Sequence, residues 1–317
     1  MLSTARCMPL ALLSILAAAP ATADDWPSFY GPLGNGASTA TGVFEPLERI
    51  GVETRWRRQL GSGYAALVAV GDRVYTTHSE GDGDFATALD LASGKTLWKT
   101  RLGPRHRSGN AADDGVLATP AVNGGDVYTV TAKGELFALD AADGDVRWKV
   151  DLVETLGAKL PYYGFSSSPL VDGPRLIVQV GGETENNLVA FDRRTGRPLW
   201  TSHHAEGHTY ASPAAIEIDG VRQVVALAGD HLVGVDGATG TLLWSLESPE
   251  TEPDRLLPVP GGRIFLPLYQ TGGWMVAVER QGDAWRAREL WLQPSVTRSH
   301  GVPVYADGAI YAFQGGI

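Results

Sequence analysis

A short segment that recurs along the chain constrains the fold more than any other feature. ALDLASGKTLW, which ends at Trp98, returns as ALDAADGDVRW, AFDRRTGRPLW and GVDGATGTLLW, which end at Trp148, Trp200 and Trp244. One unit is therefore copied about every 48 residues, and Trp56 and Trp291 extend the series at both ends. A period of this length with strand-like content predicts a β-propeller.

The repeat unit is predicted to contain four short strands. In the segment 116–152, strands are expected at 118–122, 126–131, 135–140 and 146–151. The Asp-Gly, Ser-Gly and Thr-Gly pairs between the strands supply the positive φ that tight hairpins demand. Four antiparallel strands make one propeller blade. The chain is therefore predicted to be all-β, with about five full blades and a partial sixth that begins at Ser299.

The residues that repeat are predicted to dock one blade against the next. A small residue in the third strand leaves room, a glycine closes the following hairpin, and a tryptophan in the fourth strand fills the gap between blades, because a buried indole covers a large area. The predicted docking residues are Ala88, Gly94, Trp98, Ala138, Gly144, Trp148, Ala190, Gly196, Trp200, Gly240, Trp244 and Trp291. The aspartates of the repeat precede tight turns and are interpreted as turn formers.

The repeat pattern A-x-D-x-x-T-G-x-x-x-W resembles the tryptophan-docking repeat of pyrroloquinoline quinone (PQQ) type β-propellers, and the resemblance covers 56–317. The opening DDWPSFYGPLGNG at 24–36 resembles the start of exported bacterial PQQ-binding-like β-propeller repeat proteins. That family is related in fold to the scaffold lipoprotein of the outer-membrane β-barrel assembly machine and to quinoprotein dehydrogenases. The resemblance implies a complete ring of about seven blades. Because the sixth unit stops after its second strand, at Ile317, we expect a chain truncated at its C-terminus, with an open strand edge.

The chain is expected to divide into a signal peptide at 1–23, an N-terminal arm at 24–55 and a β-propeller at 56–317 that is incomplete at its C-terminus. Arg6, the apolar stretch 8–19 and the small residues that end at Ala23 follow the order of a secretory signal. The apolar stretch is too short for a membrane span. The single cysteine, Cys7, precedes this stretch, so no lipid anchor is expected. The protein is predicted to be soluble after cleavage near Ala23 and exported, either periplasmic or extracellular.

The overall charge disfavours two classes of partner. The formal net charge is −10 at pH 7. Electrostatic binding to the nucleic-acid backbone or to an anionic lipid surface needs a basic protein surface. No nucleic-acid partner is therefore predicted, and binding to an anionic lipid surface is disfavoured.

Recognition is predicted on one face of the propeller, here called the long-loop face. Tight turns are expected at one end of the blades, whereas the loops from second to third strand, including a long loop at 78–85, and the crossings between blades reach the other end. Rigid scaffolds carry function on such variable loops. The predicted ligand-binding residues are Arg105, Arg107, Tyr162, Tyr163, His208, Tyr210, Arg298 and His300. Aromatic rings beside guanidinium and imidazole groups suit a planar anionic ligand, and the alternative is a solvated loop rim that binds nothing small.

Two clusters contain metal-binding residue types without the pattern that a metal site needs. The histidines of the segment His203 to His208 are expected on a loop. On a loop, their spacing in the sequence does not fix the distances between their side chains. The acidic segment 80–84 lacks a full calcium ligand pattern and is interpreted as a solvated hairpin tip. No metal site and no catalytic residue is predicted.

The function favoured by the sequence is a non-catalytic binding or scaffold module for a protein, peptide or glycan of the cell envelope, with no cofactor. The alternative, implied by the resemblance, is a PQQ-dependent alcohol or sugar dehydrogenase that binds PQQ with calcium. Family alcohol dehydrogenases carry an adjacent cysteine pair over the quinone, and Cys7 is the only cysteine here. A sugar-dehydrogenase-like arrangement with a histidine base and arginine contacts stays open. One propeller frame hosts enzymes, scaffolds and binding modules, so the fold does not choose between them.

Overall fold

The computed structural model describes residues 24–40, 52–107, 115–180, 186–203, 210–250, 255–296 and 302–312. Within these ranges the chain consists of antiparallel strands and one short helix, α1 (Leu152–Leu156). The strands form five four-stranded sheets and one two-stranded sheet. The predicted signal peptide at 1–23 lies outside the described residues.

Each four-stranded sheet is one blade, and its strands pair in chain order. Blade one contains β1 (Val68–Val70), β2 (Arg73–Glu80), β3 (Gly83–Asp90) and β4 (Thr96–Pro104). Blade two contains β5 (Ala121–Asn123), β6 (Asp126–Val130), β7 (Glu135–Asp140) and β8 (Val146–Asp151). Blade three contains β9 (Leu170–Asp172), β10 (Arg175–Gln179), β11 (Asn186–Asp192) and β12 (Pro198–His203).

Blade four contains β13 (Ala214–Ile218), β14 (Val221–Ala228), β15 (His231–Asp236) and β16 (Leu242–Glu247). Blade five contains β17 (Leu257–Val259), β18 (Arg263–Pro267), β19 (Gly273–Gln281) and β20 (Ala284–Gln293). The two-stranded sheet contains β21 (Val304–Ala306) and β22 (Ala309–Tyr311). The prediction of an all-β propeller of four-stranded antiparallel blades is confirmed.

A hairpin, rather than the long loop expected from the sequence, occupies 78–85. β2 and β3 stay paired as far as Glu80 and Gly83, so Gly81 and Asp82 form the turn. Gly81 has a φ of 58°, which side-chain-bearing residues rarely adopt. The loop prediction was wrong because the polar residues of this segment, such as Ser79, are buried in the sheet and not solvated.

The first strands of successive blades surround the central axis. Each of the first strands β1, β5, β9, β13 and β17 contacts the first strand that follows it in the chain, ending at β21. The turns that leave these strands therefore lie at one end of the central channel, and the crossings that enter them lie at the other. This geometry brings the blade crossings together on the long-loop face.

The tryptophan of one blade lies against the glycine that closes the last hairpin of the next blade. A Cβ atom added to Gly144 would lie 2.6 Å from the Trp98 ring, so only glycine leaves room for the indole. The Trp98 Nε1 donates to the Ala141 carbonyl of the same hairpin at 3.0 Å. The same relation to a glycine holds for Trp56 with Gly94, Trp148 with Gly196 and Trp200 with Gly240.

A small residue stands opposite the repeat tryptophan in the paired strand of each of the first four blades. Ala88 pairs with Trp98, and the register shifts directly after this pair. The corresponding pairs are Ala138 with Trp148, Ala190 with Trp200 and Gly234 with Trp244. A Cβ atom on Gly234 would lie 2.1 Å from the Trp244 ring, so this indole folds back over its own blade.

Among the glycines that the structure describes, none in the following blade lies against the last two tryptophans of the series. The Trp244 Nε1 donates to Gln223 Oε1 of its own blade at 2.7 Å, although the ring packs among residues of blades four and five. Trp291 is 41% exposed and contacts Phe265 of its own blade, with ring centroids 6.0 Å apart. The seams between blades are therefore not equivalent.

The described part of the N-terminal arm, 24–40, crosses the tight-turn end of the channel. Trp26 and Ala69 of β1 exchange backbone hydrogen bonds at 2.6 and 3.0 Å. Further along the arm, the Cβ position of Gly36 lies 3.3 Å from Val304 of β21. The arm thus connects blade one to the two-stranded sheet, at the end opposite the long-loop face. In the described part of the chain, no helix has the length and apolar character needed to cross a bilayer.

Candidate functional site

The long-loop face carries those predicted ligand-binding residues that the structure describes. Arg105, Arg107, Tyr162, Tyr163 and Tyr210 lie on blade crossings. His208, Arg298 and His300 lie outside the described residues. The structure groups the three tyrosines in one cluster and places the two arginines along a groove next to it.

The tyrosine cluster joins two blade crossings that are distant in sequence. The rings of Tyr162 and Tyr163 meet edge to face, with centroids 4.8 Å apart and planes at 88°. Tyr163 also contacts Tyr210 of the next crossing, with centroids 5.5 Å apart. Tyr162 is 69% exposed and Tyr163 is 41% exposed. The cluster therefore presents aromatic surface to solvent from a fixed position.

The loop that carries Tyr162 and Tyr163 is held against the connection between β6 and β7. The Phe165 amide donates to the Ala132 carbonyl at 2.9 Å, and the Phe165 side chain is buried. Gly164 has a φ of 93°, and a Cβ atom there would lie 2.7 Å from the Ala132 oxygen and 3.2 Å from His106 Nε2. This close approach requires glycine and brings the tyrosines beside the crossing that contains His106.

A groove of about 600 Å³ lies beside the tyrosine cluster and is here called the Arg105 groove. Its lining residues are Arg105, His106, Arg107, Lys133, Asp151, Val153, Glu154 and Leu160. They come from the crossing after blade one, the connection between β6 and β7, and the segment around α1. The groove thus unites cationic side chains from separate parts of the chain.

A buried carboxylate fixes the backbone of the crossing that carries the groove arginines. Asp84 is 1% exposed, and its Oδ1 accepts a hydrogen bond from the Ser79 hydroxyl at 2.5 Å. Its Oδ2 accepts one from the His106 amide at 3.2 Å, and the Arg105 amide donates to the Asp82 carbonyl at 2.7 Å. The prediction of a solvated hairpin tip is therefore wrong at Asp84. Sequence reasoning missed the residue because an acidic run resembles an exposed turn.

A chain of hydroxyl contacts, here called the hydroxyl latch, ties the long-loop ends of the first four blades together. The Ala66 amide donates to Thr119 Oγ1 at 2.9 Å, the Thr119 amide to Ser168 Oγ at 3.0 Å, and the Ser168 amide to Ser212 Oγ at 2.9 Å. Each of these hydroxyl residues directly precedes a proline at the entry to a first strand. The recurring Ser/Thr-Pro pair was the sequence signal for the latch.

The arm and the first strands enclose a second depression, the channel pocket, of about 470 Å³. Its lining includes Arg222, whose Nε donates to Asp172 Oδ1 at 2.9 Å, and it contains no carboxylate. Among the described residues, no group of three or more His, Cys, Asp or Glu side chains is placed to hold a metal ion.

Comparison with known proteins relates the chain to one propeller family. The family model for outer membrane protein assembly factor BamB matches residues 81–316. The chain is 27% identical over 277 residues to that factor from Burkholderia pseudomallei, covering 81% of this chain and 62% of the relative. It is 28% identical over 234 residues to quinohemoprotein alcohol dehydrogenase ADH-IIG from Pseudomonas putida, covering 66% of this chain and 32% of the relative.

A solved structure shows the same fold. The crystal structure of BamB from Moraxella catarrhalis superposes with a TM-score of 0.53 at 21% identity, over 78% of this chain and 65% of that chain. The chain thus spans less than two thirds of the length of these relatives. Because the family model covers most of the sequence, and because the repeat and the blades agree with it, the chain belongs to the outer membrane protein assembly factor BamB family of PQQ-like β-propellers.

Proposed function

We propose that this protein is an exported, non-catalytic scaffold of the cell envelope that binds a protein, peptide or glycan partner through its long-loop face. The observation that carries the proposal is the exposed tyrosine cluster on crossings that buried hydrogen bonds hold in place. Tyrosine rings supply large contact area with little loss of conformational entropy, which makes them frequent anchors of binding interfaces. The similarity to outer membrane protein assembly factors supports a partner in envelope assembly.

Export is proposed from the N-terminal sequence. The order of Arg6, the apolar stretch 8–19 and the small residues before Asp24 is that of a cleavable secretory signal. We therefore propose that the mature protein lies in the periplasm or outside the cell.

Two serines and a histidine at the long-loop end of the blades are engaged in structural contacts, which supports a non-catalytic role. Ser168 Oγ accepts a backbone amide of the hydroxyl latch, and the Ser166 hydroxyl donates to the Tyr210 carbonyl at 3.4 Å. His78 is buried between Thr87, 3.5 Å from its Nδ1, and Glu80, 3.6 Å from its Nε2. A serine nucleophile needs an adjacent base that can take its proton, and these contacts leave neither serine beside one.

A PQQ-dependent dehydrogenase is the second candidate, because the chain is similar to a quinohemoprotein alcohol dehydrogenase. Titration with PQQ and calcium, followed by tryptophan fluorescence and by dye-linked alcohol and sugar oxidation, separates the two functions. A scaffold shows no turnover in this assay. Saturable quenching together with turnover would replace the scaffold proposal with the dehydrogenase.

Site-directed crosslinking tests the scaffold proposal. A photoreactive benzoylphenylalanine at Tyr162 is expected to capture a defined envelope component from the source organism, whereas the same group at Lys95, on the tight-turn face, is not. Tyr162→Ala combined with Tyr163→Ala should keep the melting temperature of the parent and weaken binding of the purified component by about tenfold or more. Capture from Lys95 but not from Tyr162 would contradict the assignment of the face.

A further inference from the structure

We infer that the Arg105 groove and the tyrosine cluster beside it bind an acidic polypeptide segment, which places a carboxylate in the groove and an apolar side chain on the aromatic rings. The inference rests on the proposed scaffold function and adds the chemistry of the partner. Four observations support it: the charge of the groove, two buried nitrogen atoms that lack a hydrogen-bond partner, the exposed apolar side chains next to the groove, and the volume of the groove.

The groove carries an excess of cationic side chains on a chain whose net charge is −10. Arg105, Arg107 and Lys133 line it together with the carboxylates of Asp151 and Glu154. Asp151 Oδ1 already accepts hydrogen bonds from the Val153 and Glu154 amides, at 2.9 and 3.0 Å, as the N-cap of α1. The groove therefore retains cationic character in a protein that is acidic elsewhere, which favours an anionic ligand at this place.

Two nitrogen atoms of the groove residues are buried without a hydrogen-bond partner among the described residues. They are Arg105 Nε and His106 Nε2, and His106 is only 5% exposed. A buried polar nitrogen that lacks a partner lowers stability, and native structures rarely keep one without a reason. Both atoms are enclosed by protein, so a ligand carboxylate contacts the groove through the rest of the Arg105 guanidinium, which pairs with carboxylates in a charge-assisted geometry.

Exposed apolar side chains continue the groove toward the tyrosine cluster. Leu160, which lines the groove, is 48% exposed, and Tyr162 two residues later is 69% exposed. Gly164 then closes the loop against His106 of the groove crossing. A ligand that fills the groove with a carboxylate can therefore cover these rings with a neighbouring apolar side chain.

The size and composition of this surface favour a polypeptide over other anions. A volume of about 600 Å³ accommodates one or two acidic side chains. Nucleic acid and sulfated polysaccharide present a long row of charges and need an extended basic surface. An acidic polypeptide combines carboxylates and apolar side chains within a few residues, as this surface requires.

Fluorescence anisotropy with defined peptides tests the inference on the full chain. The probe is a fluorescein-labelled peptide of alternating glutamate and phenylalanine, and the matched control peptide has glutamine in place of each glutamate. We expect the glutamate peptide to bind at least about tenfold more tightly, with an affinity that falls as salt is added. Lys133→Gln and Arg105→Gln should each weaken its binding by about tenfold. Lys95→Gln and Arg197→Gln, on the tight-turn face, should leave it unchanged.

The outcomes separate this inference from the proposed function. Equal binding of the glutamate and glutamine peptides, or unchanged binding by a Lys133→Gln protein with the melting temperature of the parent, would overturn the inference. Tighter binding of dextran sulfate than of the glutamate peptide, with the same dependence on Lys133, would overturn it in favour of a polysaccharide ligand. If the Tyr162 crosslinker still captures its envelope component in either case, the scaffold proposal stands without the acidic segment.

Discussion

The backbone amide of Ser168 donates a hydrogen bond to the hydroxyl of Ser212, 2.9 Å away, across the seam between blades three and four. Both residues are buried, and both precede the proline that leads into a first strand. In blade five the residue before the corresponding proline is Leu257, which has no hydroxyl. The hydroxyl latch therefore links the blades that support the tyrosine cluster and the Arg105 groove.

Ser168→Ala is expected to lower the free energy of unfolding by about 1–3 kcal/mol, because it leaves the buried Thr119 amide without its acceptor. Urea unfolding followed by tryptophan fluorescence measures the change. Ser245→Ala is the matched control, since Ser245 lies exposed in β16 and the same substitution there removes no buried contact. Equal stability of the two variants would show that the latch contributes nothing measurable.

Trp148→Ala is expected to destabilise the fold by about 3–5 kcal/mol, because it leaves a cavity against Gly196 at the seam between blades two and three. It also leaves the Arg193 carbonyl without the indole donor, which lies 3.0 Å away. Trp291→Ala serves as the comparison. Because Trp291 is 41% exposed, its removal should lower the free energy of unfolding by much less. A Trp148→Ala protein with the same melting temperature as the parent would contradict the docking role.

The buried His78 is expected to make the fold less stable as the pH falls. Burial lowers the pKa of the His78 imidazole below its ordinary value of 6.5, and the Lys99 ammonium acts in the same direction. Below pH 6.5 the unfolded chain therefore binds a proton that the folded chain excludes, so this contribution to stability is present above that pH and is lost as the pH falls through the lower folded value.

The urea midpoint of the parent, measured from pH 7.5 to 5, should fall with decreasing pH, and His78→Gln should have a shallower dependence over the same range. His231→Gln is the control, since His231 lies partly exposed, with its Nδ1 2.6 Å from Asp230 Oδ1. Identical pH profiles for the parent and His78→Gln would exclude this role for His78.

Glu250 is expected to hold the connection between β18 and β19 through its carboxylate. Burial alone raises the pKa of Glu250, but hydrogen bonds from the Gln270 and Thr271 amides and the Thr271 hydroxyl outweigh it and keep the pKa below its ordinary value of 4.5. This contribution to stability is present above pH 4.5 and is lost as the pH falls through the folded pKa.

Glu250→Gln should speed hydrogen exchange of the Gln270 and Thr271 amides at neutral pH, because the neutral amide oxygen is a weaker acceptor than the carboxylate. Glu247→Gln, at an exposed position of β16, is the control and should leave exchange at these amides unchanged. Unchanged exchange in Glu250→Gln would show that another group protects this connection.

Local periodicity explains why most of the blade architecture could be predicted. Tight-turn glycines such as Gly144 and the alternation of each strand act over a few residues, so they can be recognised in the sequence without knowledge of the fold. The continued pairing of β2 with β3 across 78–85 was not predicted, because Ser79 and Asp84 are polar yet buried, and their mutual hydrogen bond offsets the cost of burying them. Trp244 fits the repeat, but its indole donates to Gln223 of its own blade, where Gly234 leaves room for the ring.

The sequence by itself determined the repeat and the four-stranded blade, since both depend on short-range spacing. Only the tertiary structure decided which side chains of separate crossings come together. Tyr163 meets Tyr210, and Lys133 lines the same groove as Arg105, because the propeller brings the ends of successive blades to one face. Contacts between residues this far apart depend on the rotation from blade to blade and on the hydrogen bonds that hold each crossing, and neither leaves a local pattern in the chain.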